Sequence, residues 1–189
     1  MYRLFVAIDF PEDIKQQLAR LCYGLPGARW VDENQMHLTI RFIGEVDGGI
    51  FREIRDALSF IKVPGFRLTL KGVGHFPPRK NPRVLWAGVE KNDTLLLLRN
   101  KIESTLVRVG LAAEERKFSP HVTLARFREN VSIGRLTNYI TGNNLFSTMP
   151  FNITAFHLYS SHLTSKGALH SIEASYPLDD KTGHRQGIG

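Results

Sequence analysis

The sequence predicts an α+β fold in which two pseudo-symmetric lobes of β-sheet, each with outer helices, face one another across a central cleft. Three observations carry this. The order strand, helix, strand is written twice, as "LFVAIDFPEDIKQQLARL…HLTIRF" and as "VLWAGVEKNDTLLLLRNKI…HVTLARF". Each copy ends on a strand bearing His-x-Thr, at residues 37–39 and 121–123. A chain of 189 residues with 42% hydrophobic side chains is long enough for one substantial core, or for two small lobes sharing one. Two copies at so long a period make no solenoid. No linker separates them, so residues 1–178 read as a single bilobal domain and the polar, glycine-rich 179–189 as a flexible tail.

The elements follow in order. "RLFVAIDF" (3–10) is a buried strand, rich in Val, Ile and Phe and ended by Pro11. In "PEDIKQQLARLCYGL" (11–25) a proline and two acids in the first turn precede apolar residues at helical spacing, Ile14, Leu18, Leu21, Cys22 and Leu25. "MHLTIRFIG" (36–44) is a strand closed by Gly44, and "GGIFREIRDALSFI" (48–61) returns to helical spacing. "FRLTLKGVGHF" (66–76) alternates as one strand before the breaker "PPRKNP". The second half runs strand 83–90, a helix over 91–110 opened by Asp93 or Thr94 and stopped by Gly110, and the second His-x-Thr strand, 119–127. A short helix over 132–141 and a strand pair, 150–163 and 169–178, complete the chain.

Composition narrows the function. Lysine and arginine outnumber acids 25 to 18, which favours anionic partners such as nucleic acid or phosphate esters. The single cysteine, Cys22, excludes an intramolecular disulfide and a cysteine-based metal site, and among apolar neighbours it reads as an inert thiol. No stretch approaches the ~20 apolar residues of a membrane span, and the N-terminal apolar run is broken by Asp9 and Pro11, so the expectation is a cytoplasmic protein.

The chemistry lies in the two His-x-Thr strands. Side chains alternate along a strand, so His37 and Thr39 share one face while Leu38 and Ile40 share the other, and His121 and Thr123 likewise oppose Val122 and Leu124. With the apolar residues turned to the helices, two imidazoles and two hydroxyls converge on the cleft. One imidazole can act as base and the other as acid in one turnover, while hydroxyls donate to the oxygens of a tetrahedral anion. The motifs carry no cluster of acids for Mg²⁺, and zinc fits poorly because threonine is a weak ligand. Metal-free, cofactor-free acid–base cleavage of a phosphodiester is the reading, and a 2′,3′-cyclic phosphate suits it. The ordinary alternative, a solvated or satisfied strand histidine, is the default for His157, His162, His170 and His184. His75 is a candidate to line the cleft, and His162-x-Thr164, a third apparent match, precedes "SKG" and reads as a hairpin end.

Through "RLFVAIDFPED", "HLTIRFIGEV", "GVGHFPPRKNPRVLWAGVE" and "FSPHVTLARF", most of residues 2–128 resemble the two-histidine (2H) phosphoesterase superfamily, and within it the RNA 2′,3′-cyclic phosphodiesterase family, also called ThpR or LigT and once 2′-5′ RNA ligase. After about residue 145 the likeness is looser, with His170 where a tyrosine is common. The resemblance implies the LigT-like arrangement of two antiparallel lobes and hydrolysis of RNA 2′,3′-cyclic phosphate ends, tRNA halves among them, to 2′-phosphomonoesters by a monomer without metal or cofactor. The pair run in reverse implies a weak 2′-5′ ligase activity. By position, His121 is the base, His37 the acid, and Thr39 and Thr123 hold phosphate oxygens.

Around these, Arg41 is four residues after His37 and shares its face, whereas Arg126, five after His121, faces away in ideal alternation unless the strand end bends it into the cleft. Phe42, Phe76, Trp86 and Phe127 are core candidates, with Phe76 the one placed to stack on a base. Arg79, Lys80 and Arg83, on a stiff loop, are candidates for the RNA backbone. Two other functions compete: an RNA- or nucleotide-binding module of the same fold with little catalysis, and a phosphodiesterase for another small cyclic phosphate or a 2′-5′ oligonucleotide.

Overall fold

The structure, a computed structural model, describes residues 1–79 and 81–180. The expectations for Lys80, for His184 and for a tail from 181 onward fall outside those residues. In order the elements are β1 (Tyr2–Ile8), α1 (Glu12–Ala19), β2 (Arg29–Trp30), a 3-10 turn (Glu33–Gln35), β3 (Leu38–Val46), α2 (Gly48–Leu58), β4 (Phe66–Leu68), β5 (Leu70–Phe76), β6 (Val84–Val89), α3 (Asp93–Arg108), β7 (His121–Arg126), α4 (Ile133–Asn143), β8 (Phe151–Ile153), β9 (Ala155–Thr164) and β10 (Gly167–Pro177). Among the described residues no helix is long and apolar enough to cross a membrane.

The expected α+β class with antiparallel pairing is what the chain adopts. The main sheet runs β10-β9-β1-β3-β7-β6-β5, with β2 also beside β7. One lobe is β1 and β3 completed by the C-terminal hairpin β9–β10; the other is β5, β6 and β7. They join where β3 meets β7, through the single register pair Leu38↔Val122. β1 shows why Leu4 to Ile8 are all apolar. Leu4, Val6 and Ile8 enter the main core on the helix side, while Phe5 and Ala7 form a second cluster with Tyr159 on the other face. The Cys22 thiol, half-buried and near the Leu18 carbonyl, is pushed up to about 11 by burial, in keeping with an inert group.

Three expectations change. Residues 66–76 are two strands broken at Thr69, because β4 pairs with β8 in a separate two-stranded sheet (Phe66↔Ile153, Leu68↔Phe151). Leu70, the first residue of β5, is bonded to Thr148 instead, its N–H donating to the Thr148 hydroxyl at 3.0 Å. Residues 150–163 break at Thr154 into β8 and β9 for the same reason. The cap of α3 is Asn92, whose side chain accepts the Leu95 N–H at 2.9 Å, rather than Asp93 or Thr94. At the end of the described chain Asp179 is tied down, its N–H donating to the Val63 carbonyl and its own carbonyl accepting from Gly65.

Both His-x-Thr strands bulge directly after the threonine. On β3, Ala7↔Thr39 is followed by Val6↔Arg41, so Ile40 is the extra residue. On β7, Trp86↔Thr123 is followed by Leu85↔Ala125, so Leu124 is the extra residue. A bulge puts two successive side chains on one side and inverts the alternation beyond it. Leu124 and Ala125 are accordingly both fully buried on the helix side.

Gly88, paired with His121 across β6 and β7, has the backbone of Lys71 against it, such that a Cβ would lie 2.4 Å from the Lys71 carbonyl oxygen. Replacing Gly88 by alanine is expected to cost about 1–3 kcal/mol by forcing strands apart. Urea denaturation of wild type and variant measures it; an unchanged midpoint refutes the close approach.

Candidate active site

Ideal continuation of the antiparallel pair Leu38↔Val122 by one residue each way puts His37 across from Thr123 and Thr39 across from His121. Both pairs lie on the face opposite the buried Leu38 and Val122. Thr39 is registered to Ala7 and Thr123 to Trp86 on that same face. The two imidazoles are thus diagonal neighbours, about 7–8 Å apart at Cβ in an undistorted pair. A single anion between them can reach both.

Each histidine is held in the same way. The Nδ1 of His37 bonds to the carbonyl of Gln35 at 2.8 Å, and the Nδ1 of His121 to that of Ser119 at 2.7 Å. A carbonyl only accepts, so in each neutral ring Nδ1 carries the proton and Nε2 keeps its lone pair. Gln35 closes a 3-10 turn begun by Asp32, whose carboxylate caps it by accepting the Asn34 N–H at 2.8 Å. That turn fits between β2 and β3, both of which run along β7.

The surroundings of the two rings differ. His37 sits in an aromatic cage, with ring centroids at 4.9 Å from Phe5, 5.8 Å from Tyr159 and, edge-on, 5.2 Å from His170. Gln35 ties both residues of this cage, its carbonyl holding the His37 ring and its side-chain oxygen accepting the His170 backbone N–H at 2.8 Å. His121 instead has Phe76 edge-on at 5.0 Å, and Phe76 in turn leans on Trp86 at 5.4 Å. Burial pushes the His37 pKa down to about 4; the Gln35 carbonyl and Asp9 oppose this, while His170 and Arg126 add to it. His121 is lowered too, by burial first and by Arg126, against the pull of the Ser119 carbonyl. His170 is lowered by burial, Arg126 and Arg3. All three rings are therefore neutral at pH 7 without a bound anion.

The arginines exchange places relative to expectation. Arg41 does not share the face of His37: the bulge at Ile40 turns it to the helix side, registered to core Val6, where its Nε donates to Glu103 of α3 at 2.6 Å and its Nη2 to the Ala112 carbonyl at 2.7 Å. Occupied there, it is not placed to bind substrate. The equivalent bulge at Leu124 turns Arg126 into the cleft, where its charge acts on His37, His121 and His170. Phe42, two residues beyond its own bulge, is likewise on the cleft face, 55% exposed and 6.0 Å from Phe5, rather than in the core. Trp86 also belongs to the cleft floor, its ring lying so close over Gly74 that a Cβ there would approach to 2.3 Å. Phe127 is in the core as expected. Arg83 is exposed, with Nη1 donating to the Arg128 carbonyl at 3.3 Å. His75, registered to core Leu85, faces away from the cleft.

Phe5, Tyr159 and His170 were missed in the sequence. Phe5 is hidden in the apolar run Leu4–Ile8. Tyr159 and His170 come from the C-terminal hairpin, and only the pairing of β9 with β1 (Phe5↔Tyr159) brings them to His37. His162 is in that hairpin as expected, with Nε2 3.4 Å from the Ser160 hydroxyl. Among the described residues no group of three or more His, Cys, Asp and Glu lies together so as to hold a metal ion.

The family model for LigT-like phosphoesterases matches residues 8–86 and 88–170, the first stretch containing His37-x-Thr39 and the second His121-x-Thr123. An RNA 2′,3′-cyclic phosphodiesterase of Thermotoga maritima is 35% identical over 90% of this chain and 92% of its own length. One from Aeropyrum pernix is 34% identical over 78% of this chain and 84% of its own. Among solved structures, Escherichia coli LigT in complex with 3′-AMP aligns with a TM-score of 0.76 at 28% identity, covering 94% of this chain and 98% of that one.

The imidazole environments are open to NMR. His37 is expected to titrate near 4 and His121 below the ordinary value of ~6.5. Between the folded and unfolded values the unfolded chain binds more protons, so this contribution to stability is complete above pH ~6.5 and is lost as pH falls toward 4. Urea midpoints measured across that window should fall with pH in the wild type and fall less in His37→Asn; parallel curves would contradict the burial of His37.

Proposed function

The chain belongs to the LigT-like phosphoesterase family, and on that footing we propose that His37 and His121 are its acid–base pair and that Thr39 and Thr123 hold the phosphate. The protein is a phosphodiester hydrolase acting on RNA 2′,3′-cyclic phosphate ends. The observation that carries the mechanism is the matched anchoring of the rings: both Nδ1 atoms are pinned by a carbonyl two residues upstream, leaving both Nε2 atoms for the cleft.

With the cyclic phosphate between the strands, the two threonine hydroxyls donate to its non-bridging oxygens and Arg126 offsets its charge. Water attacks phosphorus while the Nε2 of His121 takes its proton. The bond from phosphorus to O3′ breaks, and Nε2–H of His37 protonates the departing oxygen, leaving a 2′-phosphomonoester and a 3′-hydroxyl. A 5′-hydroxyl in place of water gives a 2′-5′ linkage by the same transfers. The polarity is supported by surroundings. A bound anion raises both pKa values, and it does so most where burial is deepest and the medium least polar, at His37. Asp9, which acts on His37 but not on His121, favours the imidazolium there. All these groups come from one chain, which supports a monomer; the setting we infer for it is the cytoplasm, with RNA fragments such as tRNA halves as substrates.

His121→Ala and His37→Ala are each expected to lower kcat by roughly 10²–10⁴ on a cyclic-phosphate oligonucleotide. On a p-nitrophenyl phosphodiester, whose leaving group departs without a proton, only His121→Ala should remain slow; the reverse result exchanges the two roles. The same assay identifies the product as 2′- or 3′-phosphate.

The rate should also report the buried imidazoles. kcat/KM reflects the free enzyme, so both limbs of its pH bell lie below ~6.5, whereas in kcat the bound anion moves them upward. Activity should persist in EDTA; loss that zinc restores would sink the metal-free mechanism.

A further inference from the structure

Arg29 has no part in the chemistry above, yet its position is unusual. β2 is only two residues long, and its register with β7 sets Arg29 directly across from Arg126, with Trp30 across from Ala125. Residues directly opposite in an antiparallel pair point to the same face with Cβ atoms about 4.5–5.5 Å apart, and like charges so placed repel. Ala125 and Trp30 share the helix side, where Trp30 packs on the core and lies 6.1 Å from the Tyr139 ring. Arg29 and Arg126 therefore share the cleft side, and both are exposed. Among the described residues the ion pairs engage Lys15, Arg41, Arg55 and Arg116, and none engages Arg29 or Arg126. Two arginine side chains thus leave the sheet from directly opposite positions on one face, and none of those ion pairs offsets their like charges.

The distance from the reacting centre is set by β7. Arg126 is three residues beyond Thr123, one of them the bulged Leu124, so the advance is about two strand steps, ~7 Å. That is within the span of one nucleotide from a phosphate held at Thr123. We propose that Arg29 and Arg126 clamp the internucleotide phosphate next to the cyclic end, so that the cleft reads an RNA strand and not only its terminal nucleotide. The fork of donors on each guanidinium matches the oxygens of a phosphodiester, and an anion between the two converts the repulsion into attraction on both sides. The pair also gives the strand a direction: it leaves the catalytic phosphate toward the β2 end of β7, not toward His121 at the other end. This inference rests on the hydrolase reading above and adds to it a site for a second phosphate.

The test compares a 2′,3′-cyclic mononucleotide, which lacks an internucleotide phosphate, with a trinucleotide bearing the same cyclic end. Arg29→Ala is expected to lower kcat/KM about tenfold on the trinucleotide, mainly through KM, and to leave the mononucleotide unchanged. The slope of log kcat/KM against log salt for the trinucleotide should become shallower by about 0.7, the contribution of one single-strand phosphate. Arg29→Lys should restore part of the loss. Because Arg29 is exposed and faces a like charge, Tm should stay level or rise; a fall would mark it as a structural residue and overturn the proposal. Equal loss on both substrates, or loss on neither, overturns the phosphate clamp while leaving the hydrolysis standing. A wild type inert toward both substrates removes the reading beneath it and the clamp together.

Discussion

One register pair, Leu38↔Val122, holds the two lobes in a common sheet, and the site depends on it. Both side chains are fully buried on the helix side, and each contributes roughly 1.5–3 kcal/mol of burial. Because strand side chains alternate, burying this pair turns His37, Thr39, His121 and Thr123 to the open face together. A slip of one residue in either strand would send one of these histidines into the core and a leucine or valine into the cleft. The contact is short because both strands bulge at once, at Ile40 and Leu124, immediately after their threonines. A bulge bends its strand and strengthens the local twist.

Within this symmetric frame the surroundings are not symmetric. The anchoring of the rings is duplicated, carbonyl for carbonyl, at Gln35 and Ser119. The aromatic lining is not: Phe5, Tyr159 and His170 enclose His37, while Phe76 alone stands edge-on to His121. The equivalent positions after the two bulges carry Phe42 on one side and Arg126 on the other. The duplicated His-x-Thr motif thus sits in two environments, one more deeply buried and acted on by Asp9 and one less buried, with Arg126 acting on both. Under the proposed mechanism, such a difference lets a near-symmetric pair take opposite parts in one turnover.

The legible part of the site was local. Alternation placed His37 with Thr39 and His121 with Thr123, because it acts over two residues and neither motif is interrupted. The same rule failed four and five residues on. It put Arg41 in the cleft and Arg126 outside, and each lies on the other side, since one extra residue in the strand reverses every face beyond it. Phe42 and Trp86 looked like core residues because apolar side chains in strands usually are, and here they cover the cleft floor. The run 66–76 carried no sign of its break at Thr69, since Phe66, Leu68 and Leu70 are all buried and the alternation continues through it.

By itself the sequence determined the two repeated strand–helix–strand units, the pairing of one imidazole with one hydroxyl in each, and the positive charge that suits a phosphate ester. These depend on periodicity and composition, which short stretches carry alone. Tertiary structure decided what lies around them. Tyr159 and His170 reach His37 only because the C-terminal hairpin pairs with β1, more than a hundred residues away in sequence. Arg29 meets Arg126 only because two residues of β2 find a place on β7. Contacts of that kind are set by which strand edges remain open once the core has formed, and an edge is a property of the folded sheet rather than of any segment in it.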